Sequence, residues 1–169
     1  GTYDGLTVKE YLNKCHEKYG KIICFEVDKN NISVVKENFI KWKIDYVQIY
    51  ELGLWSKNTI LKFDAIGSGS GRISEEGTVS VKVNTLDEIL KNQKVDFIKM
   101  DIEGAEVEAL KGAKKIIREQ RPKLAISVYH KPEDIFLIPL LIHNMCSEYK
   151  LYLRHYRQFS AQETICYAI

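Results

Sequence analysis

The residues best suited to chemistry are a few acids, one histidine and a pair of glycines. Glu26 lies at the end of an apolar stretch that begins at Ile22. A carboxylate there can accept both hydroxyl hydrogen bonds of a ribose, as an acidic residue does in dinucleotide folds. A plain surface glutamate is the alternative, but its apolar neighbours argue against an idle charge. Gly1 and Gly5 lie upstream, just before an amphipathic helix. They permit a sharp turn and close backbone approach to a ligand, and the helix start offers free N–H groups. A lone GxxxG also describes an ordinary tight turn.

Asp101, Glu103 and Glu106 fall where a buried strand gives way to a helix. The C-terminal end of such a strand is where doubly wound sheets bind ligands. Glu103 and Glu106 also suit the positive end of a helix, which is their plainer explanation. His130 ends the neighbouring strand and can face the same cleft as Asp101. It could take a proton from a hydroxyl near neutral pH, or be a solvated loop histidine. A carboxylate could orient it. Alternatively, Asp101 with Glu103 or Glu106 could hold a hard divalent cation such as magnesium. The metal-free version is preferred because the helix dipole already accounts for the glutamates, so no metal ligand is assigned. His16, His143 and His155 read as surface residues. Trp55, Tyr129 and Tyr156 could stack on a sugar or simply pack.

The elements that must position these groups alternate almost throughout. Helices are predicted at about 6–18, from Asp28 through Trp42, after Thr85, at about 103–120 and, with Pro139 in its first turn, up to about Glu148. Strands are predicted at 22–27, 46–55, 59–64, 78–84, 96–102, 123–129, 151–156 and 164–169. The glycine- and serine-rich stretch 67–71 reads as a mobile loop. The link between the last two strands is too short for a parallel crossover, so they should form an antiparallel hairpin. Alternation of this kind argues for a doubly wound α/β sheet, mostly parallel, ending in that hairpin.

The chain has 169 residues, a length for one domain. Its formal charge of +2 is too balanced for a nucleic-acid footprint or an anionic membrane surface. No apolar run is long enough to span a bilayer. Cys15, Cys24, Cys146 and Cys166 show no CxxC pairing. Cys24 and Cys166 sit in apolar runs as buried free thiols, which fits a reducing cytoplasm.

The segments Ile22-Ile23-Cys24-Phe25-Glu26-Val27-Asp28, Met100-Asp101-Ile102-Glu103-Gly104-Ala105-Glu106, Leu110-Lys111-Gly112-Ala113 and Arg121-Pro122-Lys123-Leu124-Ala125-Ile126 resemble the FkbM family of methyltransferases. The Met-Asp-Ile-Glu-Gly-Ala-Glu stretch is the most specific of them. The resemblance implies a Rossmann-like methyltransferase domain over residues 1–169, using S-adenosylmethionine to O-methylate a hydroxyl of a sugar, glycoconjugate or related small molecule. It places Gly1, Thr2, Asp4 and Gly5 in the first glycine motif, with Glu26 and Val27 on the ribose side. By their position after the third strand of the classical order, Gly53, Leu54 and Trp55 could border the adenine, or Trp55 could simply pack. Asp101 and His130 would activate the acceptor. The family's first strand and its acidic end would precede Gly1, so the domain is expected to be N-terminally incomplete and a compromised binder. A nicotinamide-dependent oxidoreductase would also place an acid after its second strand but usually wants GxGxxG. A non-catalytic domain that keeps the fold is the third possibility.

Overall fold

The computed structural model describes residues 1–15, 19–64, 72–73, 77–158, 160 and 162–169. The predicted loop at 67–71 and His16, with the end of the first helix at 16–18, lie outside the described residues. Two compact units are present, one of Gly1–Gly53 and Ile60–Lys82, the other of Leu54–Thr59 and Val83–Ile169.

In the first unit, α1 (Leu6–Cys15) leads to β1 (Ile22–Phe25), α2 (Lys29–Lys41) and β2 (Val47–Tyr50). β1 and β2 are parallel, with Ile22 opposite Val47 and Phe25 opposite Tyr50. The crossover α2 starts where the sequence signals it. The Asp28 carboxylate accepts the N–H groups of Asn30 and Asn31 at 2.7 and 3.2 Å, satisfying two otherwise orphaned donors. Ile32, Val35 and Phe39 recur at helical spacing and are all buried. Val35 and Phe39 pack with Cys24, and Val8, Ile22, Trp42 and Ile49 close around them. Removing the Phe39 ring from such a core costs about 3–5 kcal/mol. Gly5 is fixed twice over. Its φ is +83°, and a Cβ there would sit 2.6 Å from the Phe39 ring.

The predicted strand 46–55 is two strands. The chain bends at Glu51 and Leu52, and β3 (Gly53–Leu54) joins a different sheet from β2. That sheet has the order β3-β6-β4-β5, with β4 (Thr59–Asp64), β5 (Arg72–Ile73) and β6 (Val79–Asn84).

In the second unit, α3 (Leu86–Ile89), capped by Thr85, precedes β7 (Phe97–Met100), α4 (Glu106–Lys111), α5 (Lys114–Gln120), β8 (Lys123–Ser127), α6 (Asp134–Met145), β9 (Leu151–His155) and β10 (Thr164–Ala168). The sheet order is β7-β8-β10-β9. β7 and β8 are parallel, and β10 is antiparallel to both β8 and β9, so the expected hairpin is present. Met100, Leu110, Ile117, Leu124, Ile126, Ile138 and Ile142 form its dry centre.

Two expectations are corrected here. The single helix at 103–120 is two helices. A Cβ at Gly112 would overlap the Trp55 carbonyl oxygen, and the Asp87 carboxylate caps α5 by accepting the Lys115 and Ile116 N–H groups at 2.9 Å each. Pro139 lies inside α6, not in its first turn. It removes one helical hydrogen bond, but Ile138 and Ile142, both fully buried, hold the helix on either side.

Candidate functional site

In the first unit the side chain of interest is Glu26, which follows β1 and is only 7% exposed. Burial of an ionised carboxylate demands partners. Among the described residues, four backbone N–H groups donate to Glu26. Val27 and Asp28 donate to Oε1 at 2.8 and 3.0 Å, and Thr2 and Tyr3 donate to Oε2 at 3.0 Å each. The Thr2 hydroxyl adds a bond to the Phe25 carbonyl at 3.1 Å. The turn at residues 1–5 is thus tied to the end of β1. Asp4 contributes to the turn itself, its carboxylate accepting the Leu6 N–H at 2.9 Å at the start of α1. Among the sequence candidates, Thr2, Glu26 and Val27 therefore meet at one carboxylate. Gly1 adjoins them, Asp4 and Gly5 shape the turn, and Gly53 and Leu54 are instead members of β3.

In the second unit the ends of β7 and β8 bring Asp101 and His130 together, with His130 Nε2 3.4 Å from Asp101 Oδ1 and 3.6 Å from Glu103 Oε2. The other ring nitrogen, Nδ1, lies 2.9 Å from Glu106 Oε1. Only 8% of the His130 side chain is exposed, so it is no solvated loop residue, and Glu106 is fully buried. Neither ring nitrogen has a well-aligned hydrogen bond. Catalytic bonds often tighten only when substrate is bound.

The connection between β7 and α4 makes this convergence possible. Glu103 and Gly104 both adopt left-handed backbone, with φ of 54° and 88°. For glutamate that conformation carries strain, of a kind found at functional sites. The tight turn swings Glu106 back so that its Oε1 accepts the Ile102 N–H at 2.8 Å. The helix-dipole account of the two glutamates is therefore insufficient. Neither caps α4, whose N-cap Ala105 has no side-chain bond, and Glu106 addresses the imidazole.

Opposing influences set the charges. Burial alone would raise the Asp101 pKa, but the Lys99 ammonium and the Tyr129 hydroxyl outweigh it and hold the carboxyl below its ordinary range. Tyr129 donates to Asp101 Oδ1 at 2.9 Å, a role that the stacking proposal for this tyrosine did not foresee. Burial alone would lower the His130 pKa, but Glu106, Asp101 and Glu103 together raise it above 6.5. Asp101, Glu106 and His130 each place one ligand-type atom within 4.8 Å of the others. The two ring nitrogens, however, face different carboxylates, which is how a proton relay is built. Asp134 was missed by the sequence. It is 1% exposed at the start of α6, and its only signal was an acid leading an apolar helix.

The model for the methyltransferase FkbM domain matches residues 1–159. The chain belongs to the FkbM methyltransferase family. No curated protein matches it. It is similar to the crystal structure of methyltransferase FkbM from Methylobacillus flagellatus KT, with a TM-score of 0.83 and 24% identity over 100% of this chain and 42% of that one. The chain thus spans less than half the length of that FkbM relative. It is also similar to a SAM dependent methyltransferase from Aquifex aeolicus, with a TM-score of 0.52 and 14% identity over 99% of this chain and 78% of that one. At these identities both establish the fold, the Rossmann-like α/β class of methyltransferases.

Proposed function

We propose that this FkbM chain carries out S-adenosylmethionine-dependent O-methylation of a hydroxyl on a sugar, glycoconjugate or related small molecule in the cytoplasm. Both units belong to one methyltransferase domain in this reading, since the family match runs through both. The observation that carries it is His130, a buried imidazole with one nitrogen on buried Glu106 and the other facing Asp101 and Glu103. A hydroxyl is a poor nucleophile until its proton can leave, and this arrangement provides a place for that proton.

The two units hold different tasks. In the first, Glu26 is the proposed ribose acceptor. Its four backbone N–H partners fix the carboxylate, which would hold the ribose hydroxyls of S-adenosylmethionine. Gly1, Thr2, Asp4 and Gly5 supply the turn beside it, and Gly53 and Leu54 are proposed to border the adenine. When bound, S-adenosylmethionine supplies a methyl carbon to which the acceptor oxygen bonds as the carbon–sulfur bond breaks toward sulfur. In the second unit, His130 Nε2 takes the acceptor proton, and Asp101 accepts a hydrogen bond from the acceptor or steadies the imidazolium that forms. Neutral acceptors fit this reading, because anions would face Asp101 and Glu103. Half-buried Tyr129, hydrogen-bonded to Asp101, offers a rim on which a pyranose can rest.

Incubation with S-adenosylmethionine carrying a labelled methyl group and a panel of oligosaccharides tests the assignment. Label should appear on a hydroxyl oxygen of at least one saccharide and not on nitrogen or sulfur acceptors. Transfer confined to amines or thiols, or no transfer by a full-length protein, would overturn it.

A further inference from the structure

The turn that carries Glu103 is braced from outside itself. Residues 102–105 close on a bond from the Ala105 N–H to the Ile102 carbonyl at 3.2 Å, with Glu103 and Gly104 both left-handed between them. A glutamate persists in that conformation where its surroundings over-determine it. The brace is Lys131, whose ammonium donates to the Gly104 carbonyl at 2.6 Å. Its stem crosses the bare face of Gly104, where a Cβ would lie 3.0 Å from Lys131 Cε and 3.7 Å from His130 Cβ. The Lys131 backbone is anchored in turn, because its carbonyl accepts the Asp134 N–H at 3.0 Å. Lys131 directly follows His130, so one side chain ties the connection that carries the histidine to the turn that carries Glu103. The Glu103 carboxylate then lies 3.6 Å from His130 Nε2. An exposed bond of this kind is worth little to the fold as a whole, yet it is enough to bias one strained turn.

We propose that Lys131 is a positioning residue, which by holding the Gly104 carbonyl keeps the Glu103–Gly104 turn left-handed and the Glu103 carboxylate at His130 Nε2. Its consequence for catalysis rests on the reading of His130 as the base, since a carboxylate at Nε2 steadies the imidazolium that forms. Without the ammonium the turn relaxes and Glu103 leaves the ring. The imidazole is also faced by Glu106 from α4 and by Asp101 from the end of β7, and the Tyr129 ring centroid lies 4.2 Å from its own. Lys99 stands behind Asp101, 3.8 Å from Oδ2.

The sign of one titration tests this without an acceptor. Loss of a nearby cation alone makes an imidazole easier to protonate, whereas loss of a neighbouring carboxylate makes it harder. Lys131→Met keeps the apolar stem and removes the ammonium. Nitrogen NMR of labelled histidine in the whole protein, with His130 assigned through His130→Asn, should show the His130 midpoint moving to lower pH in Lys131→Met. In a Glu103→Gln background the same change should no longer lower it, because the carboxylate through which Lys131 acts is gone. Hydrogen exchange at the Ala105 amide should quicken roughly tenfold in Lys131→Met, the scale of one hydrogen bond. A His130 midpoint that stays put or rises in Lys131→Met, one that falls equally with and without the Glu103 carboxylate, or unaltered exchange at Ala105 would each overturn the proposal. Coupling between Lys131 and Glu103 in a protein that transfers no methyl group leaves this inference standing and defeats the proposed function instead.

Discussion

Two buried glutamates in this molecule are stabilised in opposite ways. Glu26 is 7% exposed and its two oxygens receive four backbone N–H groups. Glu106 is fully buried and receives one backbone N–H on Oε1, and among the described residues Oε2 has no hydrogen-bond partner. Backbone donors cannot give up their protons, so the Glu26 site is a fixed anion hole built from main-chain N–H groups. The side-chain partner of Glu106 is an imidazole, which can gain or lose a proton. A fixed charge suits holding a ligand, and a labile one suits moving a proton. Mutations should separate the two accordingly.

The largest effect is expected at the labile centre. His130→Ala should lower turnover by roughly 10²–10⁴-fold, the usual worth of a positioned base. Affinity for S-adenosylmethionine should hardly change, because Glu26 and the turn at residues 1–5 are untouched. Single-turnover kinetics alongside calorimetry reads both quantities. Normal turnover in the variant would remove His130 from the chemistry.

Next comes the fixed centre. Glu26→Ala should weaken S-adenosylmethionine binding, each lost charge-assisted bond being worth roughly 1.5–3 kcal/mol. The same change leaves the Thr2, Tyr3, Val27 and Asp28 N–H groups without their acceptor, so the melting temperature should fall too. Glu26→Gln distinguishes the two effects. It keeps an acceptor oxygen and should recover part of the stability before it recovers affinity. Unchanged affinity in the alanine variant, measured by calorimetry, would reduce Glu26 to a clasp for the N-terminal turn.

A smaller and graded effect should follow pH. The His130 pKa is raised above 6.5 in the folded chain, so the folded state holds this proton more tightly than the unfolded one. The stabilisation it brings is full below pH 6.5 and is lost as pH rises through the folded value. A base, however, works only when deprotonated. Turnover should therefore climb over the same interval in which this contribution to stability declines. In Glu106→Gln the imidazole loses its strongest electrostatic support, and both curves should move to lower pH. Rate profiles and thermal melts recorded together would show it, and parallel movement of turnover and stability would contradict the assignment of His130 as the base.

The first unit was more legible in sequence than the second, for a physical reason. Asp28 as a helix cap, the Ile32–Val35–Phe39 face and Glu26 at a strand end all rest on contacts between near neighbours or on simple periodicity. The break at Glu51 and Leu52 was invisible because the apolar pattern continues across it, while pairing with β6 is a tertiary matter. The split between α4 and α5 was hidden similarly, since Asp87 caps α5 from far along the chain. At the candidate site, motif and strand position placed Asp101 beside His130. The burial of Glu106 and of Asp134 depends on how α6 packs against α4, which no local spacing encodes.

The smallest expected effect is none at all, and it tests the comparison most directly. If Glu106 belongs to a proton relay, removal of divalent cations should leave turnover unchanged. Asp101, Glu106 and His130 do lie close enough for a cation to bridge them. A bound cation, however, takes one nitrogen of an imidazole, and the other nitrogen is then oriented by an outer carboxylate. Here Nδ1 addresses Glu106 and Nε2 addresses Asp101 and Glu103, so no single nitrogen faces all three acids. Methyl transfer assayed before and after EDTA treatment, with magnesium and manganese added back, measures the point. Activity abolished by chelation and restored by either ion would make Glu106 an orienting carboxylate behind a metal-bound histidine, and the labile half of the comparison would have to be rebuilt around that ion.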